Sequence, residues 1–219
     1  MMRVVAFVVG LSLLTPQTPA APDETARLNE WFEKKYEEQL AFSPIQQTFL
    51  GRKSNAIDDM SLAAQDKQLA WARASVAELK KAFDYKKLSA EAQTSYDLWI
   101  YGLQQAEAAL PFRTNAYIFD QMSAIHAFFP QLLIAFHRVE DATDLEAYVN
   151  RIRESGRAIG QLIEISKKNA VEGVRPPRFS FDFVIDESTK IVTGAPFDDS
   201  GTDSAVWADF KTKVADFEK

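Results

Sequence analysis

The chain has 219 residues with 47% hydrophobic side chains, 16 Phe, a formal net charge of −6 and no cysteine. The absence of cysteine excludes disulfides, a thiolate nucleophile and a Cys-ligated zinc site. An acidic chain without basic clusters lacks the Lys/Arg contacts through which nucleic acids and anionic lipid surfaces are bound, so neither is expected as a partner.

The start reads as a leader. Met1-Met2-Arg3 precedes an apolar run from Val4 to Leu14 and then Thr15 to Ala20, with small residues Thr18 and Ala20 at the −3 and −1 positions of a cut before Ala21. Eleven apolar residues are too few to span a bilayer, where a helix needs ~20, so removal is expected, with no stable membrane anchor afterwards. No lipobox cysteine follows. The expectation is a periplasmic or secreted protein, with residues 1–20 a signal peptide and residues 21–219 one helical domain.

From Asp23, Leu28, Trp31, Phe32, Tyr36 and Leu40 line one helical face. Ser43-Pro44 supplies an N-cap and first helical residue, and Gly51 closes that short helix. Leu62, Leu69, Val76 and Phe83 then recur every seven residues, with Ala72 and Leu79 between them. Ser89 caps a further helix carrying Tyr96, Trp99, Leu103, Ala106 and Leu110 until Pro111. The few residues between these two helices, Tyr85 to Leu88, imply an antiparallel hairpin.

The stretch Pro111 to His137 is apolar all round, which predicts burial on several sides. A long helix is expected over Thr143 to Val171, with Leu145, Val149, Ile152, Ile159, Leu162 and Ile163 inward, ended by Gly173 and Pro176-Pro177. A shorter helix over Val184 to Val192, a polar turn over Pro196 to Asp203 and a final helix with Val206, Phe210, Val214 and Phe217 complete the chain. The fold class is therefore all-α: long antiparallel amphipathic helices in hairpins, in an orthogonal or bundle-like array without a substantial sheet. Because the last helix is still in register at Lys219, the natural polypeptide is expected to continue beyond it.

Chemistry-bearing patterns are sparse. His126 and His137 are eleven apart, but Pro130 is expected to interrupt a helix between them. His137 and Glu140 have the i, i+3 spacing of two ligands on one helix face, yet no third ligand is indicated, and a partly buried His beside a helix-end carboxylate is the favoured reading. Asp198 to Asp203 resembles a calcium loop superficially, but Asp203 stands where that loop requires Gly and Asp209 where it requires Glu. Asp58 and Asp59 precede a helix start, where negative charge suits the dipole, and have no partner for acid/base work. Trp31, Trp71, Trp99 and Trp207 could line a ligand groove, although helical spacing favours core packing. Gly-x-Ser-x-Gly, Gly-x-x-x-x-Gly-Lys and Gly-x-Gly-x-x-Gly are all absent. No catalytic, cofactor-binding or metal-ligating residue is assigned.

Three segments together resemble a known family. Ser43-Pro44-Ile45-Gln46-Gln47-Thr48-Phe49-Leu50-Gly51 with Asp58-Asp59 is similar to the opening of the bacterial family known as domain of unknown function 885. Leu88-Ser89-Ala90-Glu91 with Tyr96-Asp97-Leu98 resembles its next helix. Asp144-Leu145-Glu146-Ala147-Tyr148-Val149-Asn150-Arg151-Ile152, leading to Gly173-Val174-Arg175-Pro176-Pro177-Arg178, resembles its tyrosine-and-arginine helix and proline turn. The resemblance covers about Ser43 to Val192. It implies an exported, largely helical protein similar to zinc metallopeptidases, whose His-Glu-x-x-His helix lies well downstream.

In that motif two His ligate zinc and the Glu activates its water. Neither His126 nor His137 is followed by Glu. The resemblance thus implies the N-terminal helical region of a longer protein, shaping or covering a peptide-substrate cleft without being catalytic alone. No cofactor is expected in this chain, and zinc belongs to a longer parent. The alternative, of a different class, is a complete non-enzymatic periplasmic binding or interaction module that uses an aromatic groove and exposes no large apolar surface.

Overall fold

The structure, a computed structural model, describes residues 23–217, so the leader expected at 1–20 lies outside the described residues. Eight α-helices follow one another among them: α1 (Glu24–Leu40), α2 (Pro44–Phe49), α3 (Leu62–Ala82), α4 (Ala90–Ala109), α5 (Ile125–Phe136), α6 (Ala142–Val171), α7 (Arg178–Ile191) and α8 (Ala205–Phe217). No strand is formed by the described residues, and the all-α expectation holds. Ser43, Ser61 and Ser89 start α2, α3 and α4, each accepting the backbone N–H three residues on. Each bond satisfies a donor that the first helical turn leaves open, a contribution of about 1 kcal/mol.

Two apolar clusters organise the chain. In the first, Leu28 and Trp31 of α1 meet Leu79, Phe83, Leu88, Ala92 and Tyr96 of the α3–α4 hairpin. The hairpin turns through a single 3-10 segment, Tyr85–Lys87, as its short connection predicts. Away from that turn the two helices leave their partners: Leu69 and Leu103 are only half buried and Ala106 is exposed. A groove opens there.

The second cluster joins Ile45 of α2 and Ile57 to Phe129 and Leu132 of α5 and Ala158 and Leu162 of α6. The irregular segment 50–61 lies along α6 and takes its hydrogen bonds from that helix. Asn150 donates to the Asn55 carbonyl at 2.8 Å, Arg157 donates to the Ile57 carbonyl at 2.8 Å, and the Met60 N–H donates to Gln161 at 2.9 Å. Backbone without a ladder of its own needs such partners.

Four expectations are corrected. Pro130 does not interrupt the helix; α5 runs through it from Ile125 to Phe136. The apolar stretch around α5 is not buried on several sides throughout, because Phe112, Tyr117 and Phe136 are exposed while His126, Phe129, Leu132 and Leu133 are buried. Helix α7 starts at Arg178, directly after Pro177, rather than at Val184. Its apolar residues gave no single stripe from which a start could be read.

The fourth correction concerns α6. Its buried residues are Asp144, Tyr148, Arg151, Ser155, Ala158, Leu162, Ile165 and Asn169, spaced by alternating fours and threes, whereas Ile152 and Ile163 are exposed. Of the expected inward residues Leu162 is buried and Leu145, Val149 and Ile159 are half buried, but the centre of the inner face lies about one residue, or about 100°, from the apolar stripe. The true inner face is polar toward its N-terminal half.

Candidate functional site

At the start of α6, Asp141 and Asp144 form a capping box: Asp141 accepts the Asp144 N–H at 3.0 Å, and Asp144 Oδ2 accepts the N–H groups of Glu140 and Asp141 at 2.9 and 3.2 Å. Lys53, brought in by segment 50–61, reaches Asp144 at 2.8 Å, Asp141 at 3.1 Å and Glu140 at 3.2 Å. Hydrogen bonds to Asp144 and Asp141 hold the Lys53 ammonium well above its ordinary range. Burial pushes the Asp144 carboxyl upward, but Lys53 and the two backbone donors outweigh it and leave it below its ordinary value.

Two turns further along α6, Arg151 is 1% exposed. Its Nη2 donates to Thr48 Oγ1 at 3.0 Å and its Nη1 lies 3.3 Å from His137 Nδ1, while its Nε has no partner among the described residues. A guanidinium has only donors, so His137 Nδ1 must accept and Nε2 must carry the proton, which it donates to the Asp144 carbonyl at 2.8 Å. His137 is therefore neutral; burial lowers its affinity for a proton, and the Arg151 charge adds to that effect. The ring packs edge-on against Tyr148, whose hydroxyl donates to Asp209 of α8 at 2.8 Å, and Asp209 in turn pairs with Lys213.

Beside this network lies a cleft of about 560 Å³, bordered by Thr48, Lys53, Phe136, His137, Ala147 and Arg151. Its charges are unevenly matched. Lys53 faces three carboxylates and Arg52 pairs with Glu37 at 2.6 Å. Arg151 makes hydrogen bonds only to neutral groups. The attractive charge acting on it comes from Asp58, whose oxygens are already used by the Ser43 hydroxyl at 2.7 Å and the Ile45 N–H at 2.8 Å.

The groove between α3 and α4 is larger, about 860 Å³, and is walled by Phe42, Leu69, Trp71, Trp99 and Leu103 with several glutamines at its edge. The indole N–H groups are occupied, Trp71 by Glu38 at 2.8 Å and Trp99 by Ser75 at 3.0 Å, so both rings act as apolar wall. Trp31 belongs to the core and Trp207 stacks on Phe210 outside the groove. The tryptophans thus divide between the two readings the sequence allowed.

The remaining sequence candidates are not brought together. His126 pairs with Glu187 of α7 at 2.9 Å and leaves its Nδ1 unpartnered, while His137 lies past the end of α5 with both nitrogens engaged. Glu140 faces Lys53. Asp59 accepts the Ser61 N–H and a hydrogen bond from Gln161, so it and Asp58 serve separate local roles. Asp198 accepts the N–H groups of Gly194 and Ser200, and Asp203 pairs with Lys211. Among the described residues no group of three or more His, Asp or Glu is placed to hold a metal ion. Sequence reading missed Arg151 as a site residue. The available signal was its i, i+3 and i, i+7 relation to Tyr148 and Asp144 on one helix face.

The sequence pattern of a family described as bacterial protein of unknown function, DUF885, matches residues 44–219. Comparison with curated proteins and with solved structures gives no match.

Proposed function

The chain belongs to the DUF885 family, and on that premise we propose that it forms the helical, non-catalytic wall of a substrate cleft in an exported, zinc-metallopeptidase-like protein. The observation that carries this reading is the exposed apolar surface on the two flanks of α7. Phe179, Phe181, Phe183 and Ile185 are each roughly half exposed, and Ser180 is the buried residue of that helix. At about 100° per residue, Phe179 and Phe183 lie on one flank of the helix and Phe181 and Ile185 on the other, and exposed apolar area of this kind supports an interaction surface on each. Covering each of these side chains would contribute on the order of 1 kcal/mol, which supports α7 as a seat for further protein that carries the chemistry.

A second reading, a self-contained periplasmic binding module, is favoured by the aromatic groove between α3 and α4. One experiment separates the two: the intact mass of the native protein from its own organism, followed by a hydrolysis assay on peptides with and without a zinc chelator. A larger mass, a His-Glu-x-x-His segment and chelator-sensitive hydrolysis are expected. A mass equal to the 219 residues without their leader would overturn the wall reading and leave the binding module.

A further inference from the structure

We propose that the cleft beside the start of α6 is a binding site for one organic carboxylate, with Arg151 as the charge that holds it. Three independent observations meet there. The cleft is a real space, about 560 Å³, and Arg151 borders it. Arg151 is 1% exposed and its Nε has no hydrogen-bond partner among the described residues. Both of its acceptors, Thr48 and His137, are neutral.

Taking a guanidinium out of water without a hydrogen-bonded counter-charge is costly, and Asp58, the carboxylate whose charge acts on Arg151, makes no hydrogen bond to it. Asp58 is committed to Ser43 and Ile45. Asp141 and Asp144 are committed to Lys53 and to the α6 N-terminus. An anion entering the cleft would supply the missing partner, and planar carboxylates match the guanidinium fork in two parallel hydrogen bonds.

The surroundings select the charge of that anion. Lys53 faces Glu140, Asp141 and Asp144, Arg52 pairs with Glu37 and Arg138 is exposed to solvent, so Arg151 is the buried cation of the lining that touches no carboxylate. A monoanion matches that one buried cation, whereas a doubly charged anion would also face the three carboxylates of the rim. Phe136, half exposed at the cleft, offers apolar contact for the remainder of an organic ligand. The site needs no metal and is independent of the zinc-enzyme reading above.

The test is calorimetric titration of the full natural protein, in the presence of a chelator, with N-acetyl-alanyl-alanine, its C-terminal amide, N-acetyl-glutamate α-amide and inorganic phosphate. One equivalent of a carboxylate is expected to bind saturably, with the amide of N-acetyl-alanyl-alanine at least about tenfold weaker. Which acid binds more tightly tells a chain terminus from an acidic side chain. Arg151→Lys keeps the charge and loses the fork, so it should weaken binding about tenfold.

Because Arg151 also holds Thr48 and His137 in place, a second pair of variants avoids its structural role. Ala147→Glu should abolish binding by repulsion, while the equally bulky Ala147→Gln retains most of it. Absence of saturable binding at millimolar ligand, equal affinity for acid and amide, tighter binding of phosphate, or equal loss in the two Ala147 variants would each overturn the proposal.

Discussion

His137 sits between a carbonyl that takes its proton and a guanidinium that needs its lone pair. A second proton would have to enter at Nδ1, against Arg151, and Lys213 adds to the unfavourable field. The native imidazole therefore binds a proton less readily than in the unfolded chain, whose ordinary value is 6.5. The sign follows from linkage: the unfolded state takes up more protons, so the stability this residue contributes is complete above pH 6.5 and declines as pH falls below it. Melting temperature should drop between pH 7 and pH 5, and the drop should be smaller in His137→Gln; an equal drop in both would assign it to other groups. The carboxylates of Asp141 and Asp144, held below their ordinary value of 3.8, lose their contribution only at still lower pH, which keeps the two effects apart.

Helix α6 tests how burial is distributed along one element. Its inner stripe is set by Tyr148, Arg151, Ser155, Ala158 and Leu162, and Ala158 is fully buried where α6 meets α5. Ala158→Leu should cost about 1–3 kcal/mol by overpacking, whereas Ile152→Gln on the outer face should change stability by less than about 0.5 kcal/mol. Chemical denaturation of both variants decides between this face and the one expected from apolar spacing; the opposite ranking would restore the latter. A second element depends on backbone contact. At Gly194, φ is +91° and an added Cβ would lie 2.7 Å from backbone atoms of Asp203 and Ser204. Neither neighbour can retreat, since the Ala195 N–H bonds the Thr202 carbonyl at 2.7 Å and the Ser204 N–H bonds the Ala195 carbonyl at 3.0 Å. Gly194→Ala should therefore destabilise the α7–α8 connection by about 1 kcal/mol or more, read as a lower denaturation midpoint.

For the whole molecule, the decisive surface is the exposed apolar area on the two flanks of α7. Residues 21–219 on their own should bind a hydrophobic-surface dye strongly, and Phe181→Ser with Phe183→Ser should reduce that signal, while under the wall reading proposed above the native protein binds the dye weakly. Weak binding by these residues alone would remove the main support for a covering partner. The hairpin at Tyr85 and the serine caps were legible in the amino-acid order because they depend on local spacing and on groups within one turn, whereas α5, with Pro130 inside it, was not. Lys53, Thr48, His137 and Arg151 were not legible as one cleft, since they come from a loop, two helices and a helix end, and nothing local ties them together. The inner face of α6 escaped for a related reason: apolar periodicity assumes that burial follows hydrophobicity, and here a buried polar network reverses it. By itself, then, the sequence determined an acidic, cysteine-free, all-α chain and the serines that start α2, α3 and α4, because capping and periodicity act over a few residues. Only the tertiary structure decided which face of α6 turns inward, that Arg151 is buried without a carboxylate in contact and that the apolar flanks of α7 are left exposed, because each is a relation between segments far apart in the chain.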